Sequence, residues 1–392
     1  MLKSYQLESR MDRHLIAFAD APEPDLITPA LDARFKVSHV TLLADASQTS
    51  RADYIASVCR DARLQAQVLT LPHAWNPEPI RVRLKELVVA ADHAVLFNLS
   101  GANPVHSAIA HEVALETQVP AFVVNPFSDQ IHWLAHAPAD LPGDHGNVAD
   151  KLTLESYFGV YGMEIIGYSR RLHRPKPQMD AAADVLAHLA VQHAGLIGRL
   201  NTVCSSLTPE FETRAAIPNH ASLLTALRAT GLCCILPDLR LRLTQFESRQ
   251  FLGGGWLEWW LLKQVEALVG ELPIQDAAAS VRVRLPNGVT NEFDVAILCN
   301  NHAYMIEAKT TNAGSPDKGI GAQTLFKLDS VSGLAGMHAE AMLASLCLPT
   351  LKEASRAESQ DIEIVAGAAL TEVQTHLREW LKEPLGEEIP VE

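Results

Sequence analysis

The chain has 392 residues, of which 48% are hydrophobic and 20% are charged. This length predicts two or three domains with substantial cores, and the composition excludes a disordered chain. The formal net charge of −14 argues against a protein coated in nucleic acid, so a polyanionic partner would have to be met by a local basic groove. The six cysteines are sparse and have no CxxC spacing, and no apolar run is long enough to span a bilayer. These features predict a soluble, cytoplasmic protein without membrane contact.

Short apolar runs alternate with helical patterns over the N-terminal part of the chain. The strand-like runs lie at residues 15–18, 40–43, 66–71, 94–97 and 121–124. The helical patterns between them lie near residues 25–33, 50–64, 78–91 and 104–117. This alternation predicts a doubly wound parallel sheet of the Rossmann-like α/β class, which we assign to residues 1–168.

Two loops lie where doubly wound sheets bind ligands, beyond the carboxyl ends of the strands. Ala19 and Asp20 follow the first run, and Ser100, Gly101, Ala102 and Asn103 follow the fourth. The second loop leads into a helix that begins with Pro104, so it predicts free backbone N–H groups at the positive end of a helix dipole, which suit a phosphate. It has no GxGxxG sequence, which argues against a dinucleotide cofactor, and an ordinary strand-to-helix turn is the alternative.

A basic, proline-marked segment at residues 170–177 separates this domain from the rest of the chain. It precedes an Ala/Leu-rich helical pattern over about residues 180–200, which is too apolar on one face to stand alone. We interpret residues 169–207 as a helical linker that packs between domains or against a second subunit. Residues 208–392 then form a C-terminal α/β domain, with helices over about 248–269 and from about 323, and strands at 239–245, 280–285 and 362–366.

An apolar hairpin interrupted by charged residues lies at the centre of the C-terminal domain, over residues 291–310. If Asn300 and Asn301 form a two-residue primed turn, residues whose numbers sum to 601 lie opposite each other. The predicted cross-strand pairs on one face are Asp294 with Glu307 and Glu292 with Lys309. Opposed carboxylates repel unless a cation or a proton lies between them, so this register predicts a divalent-metal site.

Glu258 lies within a helical pattern whose neighbouring positions on the same face are apolar. A carboxylate on such a face is costly without a partner, so it either joins Asp294 and Glu307 or pairs with a structural arginine such as Arg282. Carboxylate oxygens favour Mg²⁺ or Mn²⁺ over zinc. A bound ion beside Lys309 would activate water, which predicts metal-assisted phosphodiester hydrolysis. The alternative is a solvated charge ladder on an exposed sheet face.

Glu258, Asp294 and the triplet Glu307-Ala-Lys309 resemble the PD-(D/E)xK nuclease core, with twelve residues between the aspartate and the glutamate. The segments that make this resemblance more specific are Gly254-Gly-Trp-Leu-Glu258, Asn291-Glu-Phe-Asp-Val295, Ile306-Glu-Ala-Lys-Thr310 and Gln323-Thr-Leu-Phe-Lys-Leu-Asp329. Together with the N-terminal α/β domain, they resemble the CRISPR-associated Rossmann-fold (CARF) nucleases that cyclic oligoadenylate activates.

The resemblance implies a homodimer whose N-terminal domains bind cyclic tetra-adenylate. Its C-terminal, restriction-endonuclease-like domains would cleave DNA or RNA with Mn²⁺ or Mg²⁺ in type III CRISPR antiviral defence. The implied metal ligands are Asp294, Glu307 and Ala308, and the implied catalytic residues are Glu258, Asp294, Glu307 and Lys309. The implied substrate contacts are Gln323 and Lys327. The implied cyclic oligoadenylate-binding residues are Ala19, Asp20, Ser100, Gly101, Ala102 and Asn103.

The second N-terminal loop departs from the family pattern. Many family members carry Thr-Gly-Gly-Thr-Lys after the fourth strand, whereas this chain has Ser100-Gly-Ala-Asn-Pro104, without a lysine. Two alternatives to a gated nuclease stay open. One is a nucleotide-sensing regulator whose nuclease-like domain only binds nucleic acid or a protein, and the other is an ungated nuclease whose first domain only dimerises.

Overall fold

A computed structural model of the chain describes residues 12–71, 76–144, 146–148, 151–169, 177–310, 319–336 and 339–382. The chain divides into two compact units. Among the described residues, the first unit comprises residues 12–164 and Leu285–Val289, and the second comprises residues 165–284 and 290–382. Residues 170–176 of the predicted linker lie outside the described residues.

The first unit is built on a sheet with the strand order β3-β2-β1-β4-β5-β6-β7. Its strands are β1 (Arg13–Phe18), β2 (Val37–Ala44), β3 (Gln65–Thr70), β4 (Ala94–Asn98), β5 (Ala121–Asn125), β6 (Gln130–Ala135) and β7 (Gly146–Asn147). Strands β1 to β5 pair in parallel, and β6 and β7 add antiparallel edge strands. The predicted doubly wound sheet is therefore confirmed, with the reversal of strand order between β1 and β4.

The described helices of the first unit are α1 (Thr28–Leu31), α2 (Thr49–Asp61), α3 (Pro77–Ala90), α4 (Pro104–Thr117) and α5 (Leu154–Val160). Helices α2, α3 and α4 lie close to the predicted positions, whereas α5 was not predicted. The single helix predicted near residues 25–33 is wrong, because 3₁₀ turns at Pro24–Leu26 and Ala33–Phe35 flank the short α1. Pro29 has no N–H group and its ring clashes with the preceding turn, so a helix cannot run through this segment.

The second unit contains a mixed sheet with the strand order β15-β14-β13-β12-β11-β8. The strands are β8 (Glu164–Ser169), β11 (Ile274–Arg284), β12 (Thr290–Cys299), β13 (His302–Lys309), β14 (Glu340–Ser345) and β15 (Ile362–Ala366), with a separate pair of β9 (Cys233–Ile235) and β10 (Leu241–Leu243). Strands β11, β12 and β13 are antiparallel neighbours, whereas β13, β14 and β15 are parallel. The predicted two-domain α/β class is confirmed.

The helices of the second unit pack on this sheet or on one another. They are α6 (Pro177–Gln192), α7 (Ala194–Cys204), α8 (Ala221–Thr230), α9 (Phe246–Gln250), α10 (Trp256–Glu266), α11 (Ala322–Ser332), α12 (Leu351–Ser359) and α13 (Val373–Trp380). The long helix predicted over residues 180–200 is two helices, because the backbone of His193 leaves the helical region at φ −142° and ψ 57°. The helix predicted over residues 248–269 is interrupted by a π-helical turn at Phe251–Gly255, where Gly254 has φ 139°.

Helix α10 is held by one face in the core of the second unit. Trp256 and Leu261 are fully buried in a cluster that includes Val295 of β12. The indole N–H of Trp259 donates to Oδ1 of Asp180 at 2.7 Å, which joins α10 to α6. These tryptophans therefore fix the helix. None of the described helices is long and apolar enough to cross a lipid bilayer.

Candidate active site

The central hairpin has the predicted register. Asn300 and Asn301 have φ values of 50° and 61°, as a primed turn requires. The paired residues run from Cys299 with His302 to Val295 with Ile306, and their numbers sum to 601. The next predicted pair along the hairpin is Asp294 and Glu307. The backbone pairing ends at Val295 and Ile306, and beyond it the N–H of Ala308 donates to Oδ2 of Asp294 at 2.8 Å.

The second predicted pair, Glu292 with Lys309, lies beyond the paired part of this hairpin. Glu292 is in register with Arg282 of β11. Its carboxylate turns toward two other acids, since one oxygen each from Glu258, Glu292 and Asp294 lies within 4.8 Å of the others. Glu258 therefore joins Asp294, and the alternative pairing of Glu258 with Arg282 is not the arrangement that the structure shows.

Glu307 lies beside this cluster and contacts two lysines. Nζ of Lys309 lies 2.9 Å from Oε1 of Glu307, and Nζ of Lys327 lies 3.3 Å from Oε2. The Glu307 side chain is only 5% exposed, so a solvated charge ladder does not describe it. The two cations offset this buried charge, whereas the neighbouring three-carboxylate cluster keeps an excess of negative charge.

The electrostatics of the cluster favour a proton or a cation. Burial raises the pKa of Glu258 to about 8, and the Asp294 carboxylate adds to this effect. Burial also raises the pKa of Asp294 to about 6, and the charge of Glu307 adds to it, while the Ala308 N–H opposes it. Three hard oxygen donors that repel each other match the ligand preference of Mg²⁺ or Mn²⁺, so these residues fit a divalent ion.

A cavity of about 540 Å³ opens onto the carboxylates and lysines. Arg249 and the glycine-rich turn Gly253–Gly255 also line it. A side chain on Gly254 would lie 2.8 Å from Oγ1 of Thr310, and its positive φ also favours glycine, so this turn can approach the end of β13 only without a side chain. Arg249, Lys309 and Lys327 thus place three cations around a cavity that Glu258, Asp294 and Glu307 also line. A polyanion would meet these local cations although the protein is acidic overall.

Helix α11 carries both predicted substrate contacts. Lys327 reaches the site, whereas Gln323 is exposed one turn earlier and does not line the cavity. The beginning of this helix is fixed by Glu353, whose carboxylate accepts hydrogen bonds from the N–H groups of Gly321 at 2.6 Å and Ile320 at 3.2 Å. The residues missed by sequence reasoning are Arg249, Glu353 and the role of Glu292. The run of three glycines before Glu258 could have indicated that the backbone closely approaches another part of the chain there.

The loops of the first unit are internally bonded. Asp20 Oδ2 accepts from the N–H of Asn103 at 2.7 Å and lies 2.6 Å from Nδ1 of His106. The side-chain oxygen of Asn103 caps α4 by accepting from the N–H groups of Val105 and His106. The expectation of free N–H groups at the start of this helix is therefore wrong for these positions, because the loop satisfies them itself.

The remaining predicted ligand-binding positions are also tied into the loop. Ser100 Oγ donates to Asn98 at 2.6 Å and accepts from the N–H of Val124 at 2.9 Å. The Ala102 N–H donates to the carbonyl of Leu99, and Ala19 is fully buried. A side chain on Gly101 would collide with Leu26 and the carbonyl of Phe18. The predicted residues thus lie together at the carboxyl ends of β1 and β4, where hydrogen bonds link the two loops.

Comparisons with known proteins agree with this arrangement. Residues 245–383 match the family model of the Card1-like endonuclease domain. No curated protein matches the chain. The structure is similar to the crystal structure of protein VC1899 from Vibrio cholerae, with 26% identity, a TM-score of 0.83, and coverage of 96% of this chain and 100% of that one.

Two further solved structures have the same fold at lower identity. Can2 from Sulfobacillus thermosulfidooxidans, solved in complex with cyclic tetra-adenylate, is 18% identical, with a TM-score of 0.73 and coverage of 95% of this chain and 97% of that one. A type III CRISPR defence DNA nuclease activated by cyclic oligoadenylate is 15% identical, with a TM-score of 0.52 and coverage of 85% of this chain and 45% of that one. The resemblance to CARF-type nucleases that the sequence predicts is confirmed.

Proposed function

We propose that this chain is a divalent-metal-dependent endonuclease that hydrolyses phosphodiester bonds, and that a cyclic oligoadenylate bound by its first unit activates it. The observation that carries the proposal is the convergence of Glu258, Glu292 and Asp294 beside a lysine-paired Glu307. This constellation lies within the segment that matches an endonuclease domain. It supports a PD-(D/E)xK type of active site.

The metal would be Mg²⁺ or Mn²⁺, held by Asp294 with Glu258 and Glu292. Glu307 and the backbone of Ala308 complete the set of ligands implied by the resemblance. When bound, such an ion lowers the pKa of a water molecule and stabilises negative charge on a phosphate. The hydrogen bond from the Ala308 N–H fixes one oxygen of Asp294, so the ligand arrangement does not depend on the ion alone.

The lysines supply the positive charge that a phosphodiester requires. Glu307 holds Lys309 at 2.9 Å, which places its ammonium group beside the carboxylate cluster. From there it can position the attacking water or screen the developing negative charge. Lys327 and Arg249 face the same cavity and would bind the phosphate backbone of DNA or RNA without reading bases. Gln323 of α11 would contact the strand outside the cavity.

The first unit would act as the sensor. Its loops after β1 and β4 lie at the edge of the sheet where doubly wound folds bind ligands. The similar fold of Can2, solved with cyclic tetra-adenylate, supports that ligand for Ala19, Asp20 and the loop of residues 100–103. We propose a homodimer acting in type III CRISPR defence.

A cleavage assay tests this proposal. Labelled single-stranded RNA, single-stranded DNA and supercoiled plasmid are incubated with Mn²⁺ or Mg²⁺, with and without cyclic tetra-adenylate. We expect metal-dependent cutting that the cyclic nucleotide accelerates. Equal cutting in both conditions would point to the ungated nuclease. No cutting, together with heat of binding in a calorimetric titration with the cyclic nucleotide, would favour the nucleotide-sensing binding protein.

A further inference from the structure

We propose that Ser280 is a positioning residue of this site, whose strained backbone places its hydroxyl group on the Glu258 carboxylate. The inference rests on the proposed function, because it assigns the purpose of this contact to metal binding. It concerns a residue of β11, a strand that supplies no predicted ligand.

Ser280 has an unusual conformation for its place in the fold. Its φ is 51°, in the left-handed region, although it lies within an eleven-residue strand. Non-glycine residues rarely adopt this conformation and keep it only where the surroundings require it. The neighbours Ala279 and Val281 are buried at 2% and 0% exposure, so the strand is firmly packed on both sides of the distortion.

The distortion does not come from an inserted residue. Ala279 pairs with Val295 and Val281 pairs with Phe293, so the residue numbers sum to 574 on both sides of Ser280. A β-bulge would have shifted this sum by one. The register places Ser280 opposite Asp294. The consequence of the left-handed backbone is therefore local and concerns where the Ser280 side chain points.

The side chain points at Glu258. Ser280 Oγ donates to Oε2 of Glu258 at 2.8 Å. Ser280 and Glu258 line a small cavity of about 90 Å³, and Glu258 also lines the larger cavity of the active site, whose lining does not include Ser280. The hydroxyl therefore approaches the carboxylate from the side away from the larger cavity.

This hydrogen bond restricts the orientation of the Glu258 side chain, which borders a cavity on each side. A donor on one oxygen sets the orientation of the carboxylate and leaves the other oxygen for a cation. Such outer contacts to metal ligands typically change metal affinity or activity by about 10–100-fold when removed. If Ser280 had only a structural role, Ser280→Gly would leave the metal affinity unchanged, because glycine adopts positive φ without strain.

The test uses Ser280→Gly in the full-length protein, with Ser280→Ala as a second variant that lacks the hydroxyl but keeps the Cβ atom. Melting temperature, Mn²⁺ affinity by calorimetry and the Mn²⁺ dependence of cleavage are measured. We expect Ser280→Gly to melt at the same or a higher temperature than the wild type, yet to bind Mn²⁺ about tenfold more weakly. Ser280→Ala should show the same loss of affinity.

Two controls make the result specific. Asp361→Gly replaces another residue with φ 51°, in an exposed turn before β15, and should leave Mn²⁺ affinity unchanged. In a Glu258→Gln background, Ser280→Gly should cause little further loss, because both changes act on one ligand. Three results would each overturn the inference. They are unchanged Mn²⁺ affinity in both Ser280 variants, a loss of affinity from Ser280→Gly that is as large in the Glu258→Gln background as in the wild type, and no Mn²⁺ binding by the wild type. Mn²⁺ binding without any cleavage would contradict the proposed function alone.

Discussion

Nζ of Lys327 on α11 lies 3.3 Å from Oε2 and 3.4 Å from Oε1 of Glu307 on β13, and Lys309 contacts Oε1 at 2.9 Å. The Glu307 side chain is 5% exposed, whereas that of Lys327 is 51% exposed. The contact is longer than the 2.9 Å contact of Lys309, and about half of the Lys327 side chain is exposed to solvent. Lys327 is therefore available to a phosphate, while Lys309 is held by the protein.

Lys327→Ala should weaken substrate binding more than it slows the chemical step. We expect KM to rise by about tenfold with a smaller change in kcat, because one phosphate contact is lost. The dependence of KM on salt concentration should also become shallower. Lys382→Ala, which removes another exposed lysine of the same unit, is the matched control. An unchanged KM and salt dependence would exclude Lys327 from the substrate site.

Glu353→Gln should disturb the site from a distance. Glu353 is 8% exposed and accepts hydrogen bonds from Gly321, Ile320 and Thr350, so it fixes the start of the helix that carries Lys327. Loss of buried acceptors costs about 1–3 kcal/mol. We expect a lower melting temperature and a several-fold higher KM.

The specificity of the Glu353 effect can be measured in the same assay. Glu358→Gln changes an exposed acid on the same helix and should behave as the wild type. If Glu353 acts through Lys327, Glu353→Gln should add little to the KM of the Lys327→Ala variant. A full additive effect would show that Glu353 influences the substrate by another route.

Asp25→Asn should stabilise the protein at high pH. Burial and the charge of Glu23 raise the pKa of Asp25 to about 7, compared with about 3.9 in an unfolded chain. Between these values the folded state binds more protons, so its stability falls as pH rises from about 4 to 7. The variant removes this loss, which amounts to at most about 4 kcal/mol.

The test of Asp25 compares denaturant unfolding of the variant and the wild type at pH 5 and pH 8. At pH 5 Asp25→Asn should be only slightly more stable than the wild type, because only the first part of the loss between pH 4 and pH 7 has occurred there. Asp25→Asn should be clearly more stable at pH 8. A stability difference that does not change with pH would contradict the raised pKa of Asp25.

Divalent metal should stabilise the protein through the carboxylate cluster. At a hundred times its dissociation constant, a bound ion adds about 2.7 kcal/mol to the free energy of unfolding. Mn²⁺ should therefore raise the melting temperature by several degrees, and a chelator should reverse the effect. Asp294→Asn should melt higher than the wild type without metal, because it relieves repulsion with Glu307, and should lose the response to Mn²⁺. An Mn²⁺ response that survives in Asp294→Asn would place the ion elsewhere.

Local patterns were sufficient to predict the hairpin. The Asn300-Asn301 pair specifies a primed turn, and a primed turn specifies a register, so the pairing from Cys299 with His302 to Val295 with Ile306 followed without knowledge of the rest of the fold. The parallel strands of the first unit were predicted for a similar reason, since their apolar runs are bounded by helical patterns. Glu258 was found because a carboxylate between apolar neighbours requires a partner.

Long-range contacts explain what the sequence did not predict. Strand β14 was missed because its alanine, methionine and leucine residues also suit a helix, and only its burial between β13 and β15 makes it a strand. The contacts of Lys327 with Glu307 and of Glu353 with Gly321 join residues distant in sequence. In the first unit, the N–H groups after β4 are satisfied by Asp20 of another loop, which a local pattern cannot show.

The central claim is that the Asp294 cluster cleaves phosphodiester bonds under the control of the first unit. Its most direct test is the initial rate of nucleic acid cleavage with Mn²⁺ and cyclic tetra-adenylate for the wild type and the isosteric variant Asp294→Asn. We predict ligand-stimulated cleavage by the wild type and a rate at least about a hundredfold lower in the variant. Equal rates for the two proteins would contradict the assignment of this site.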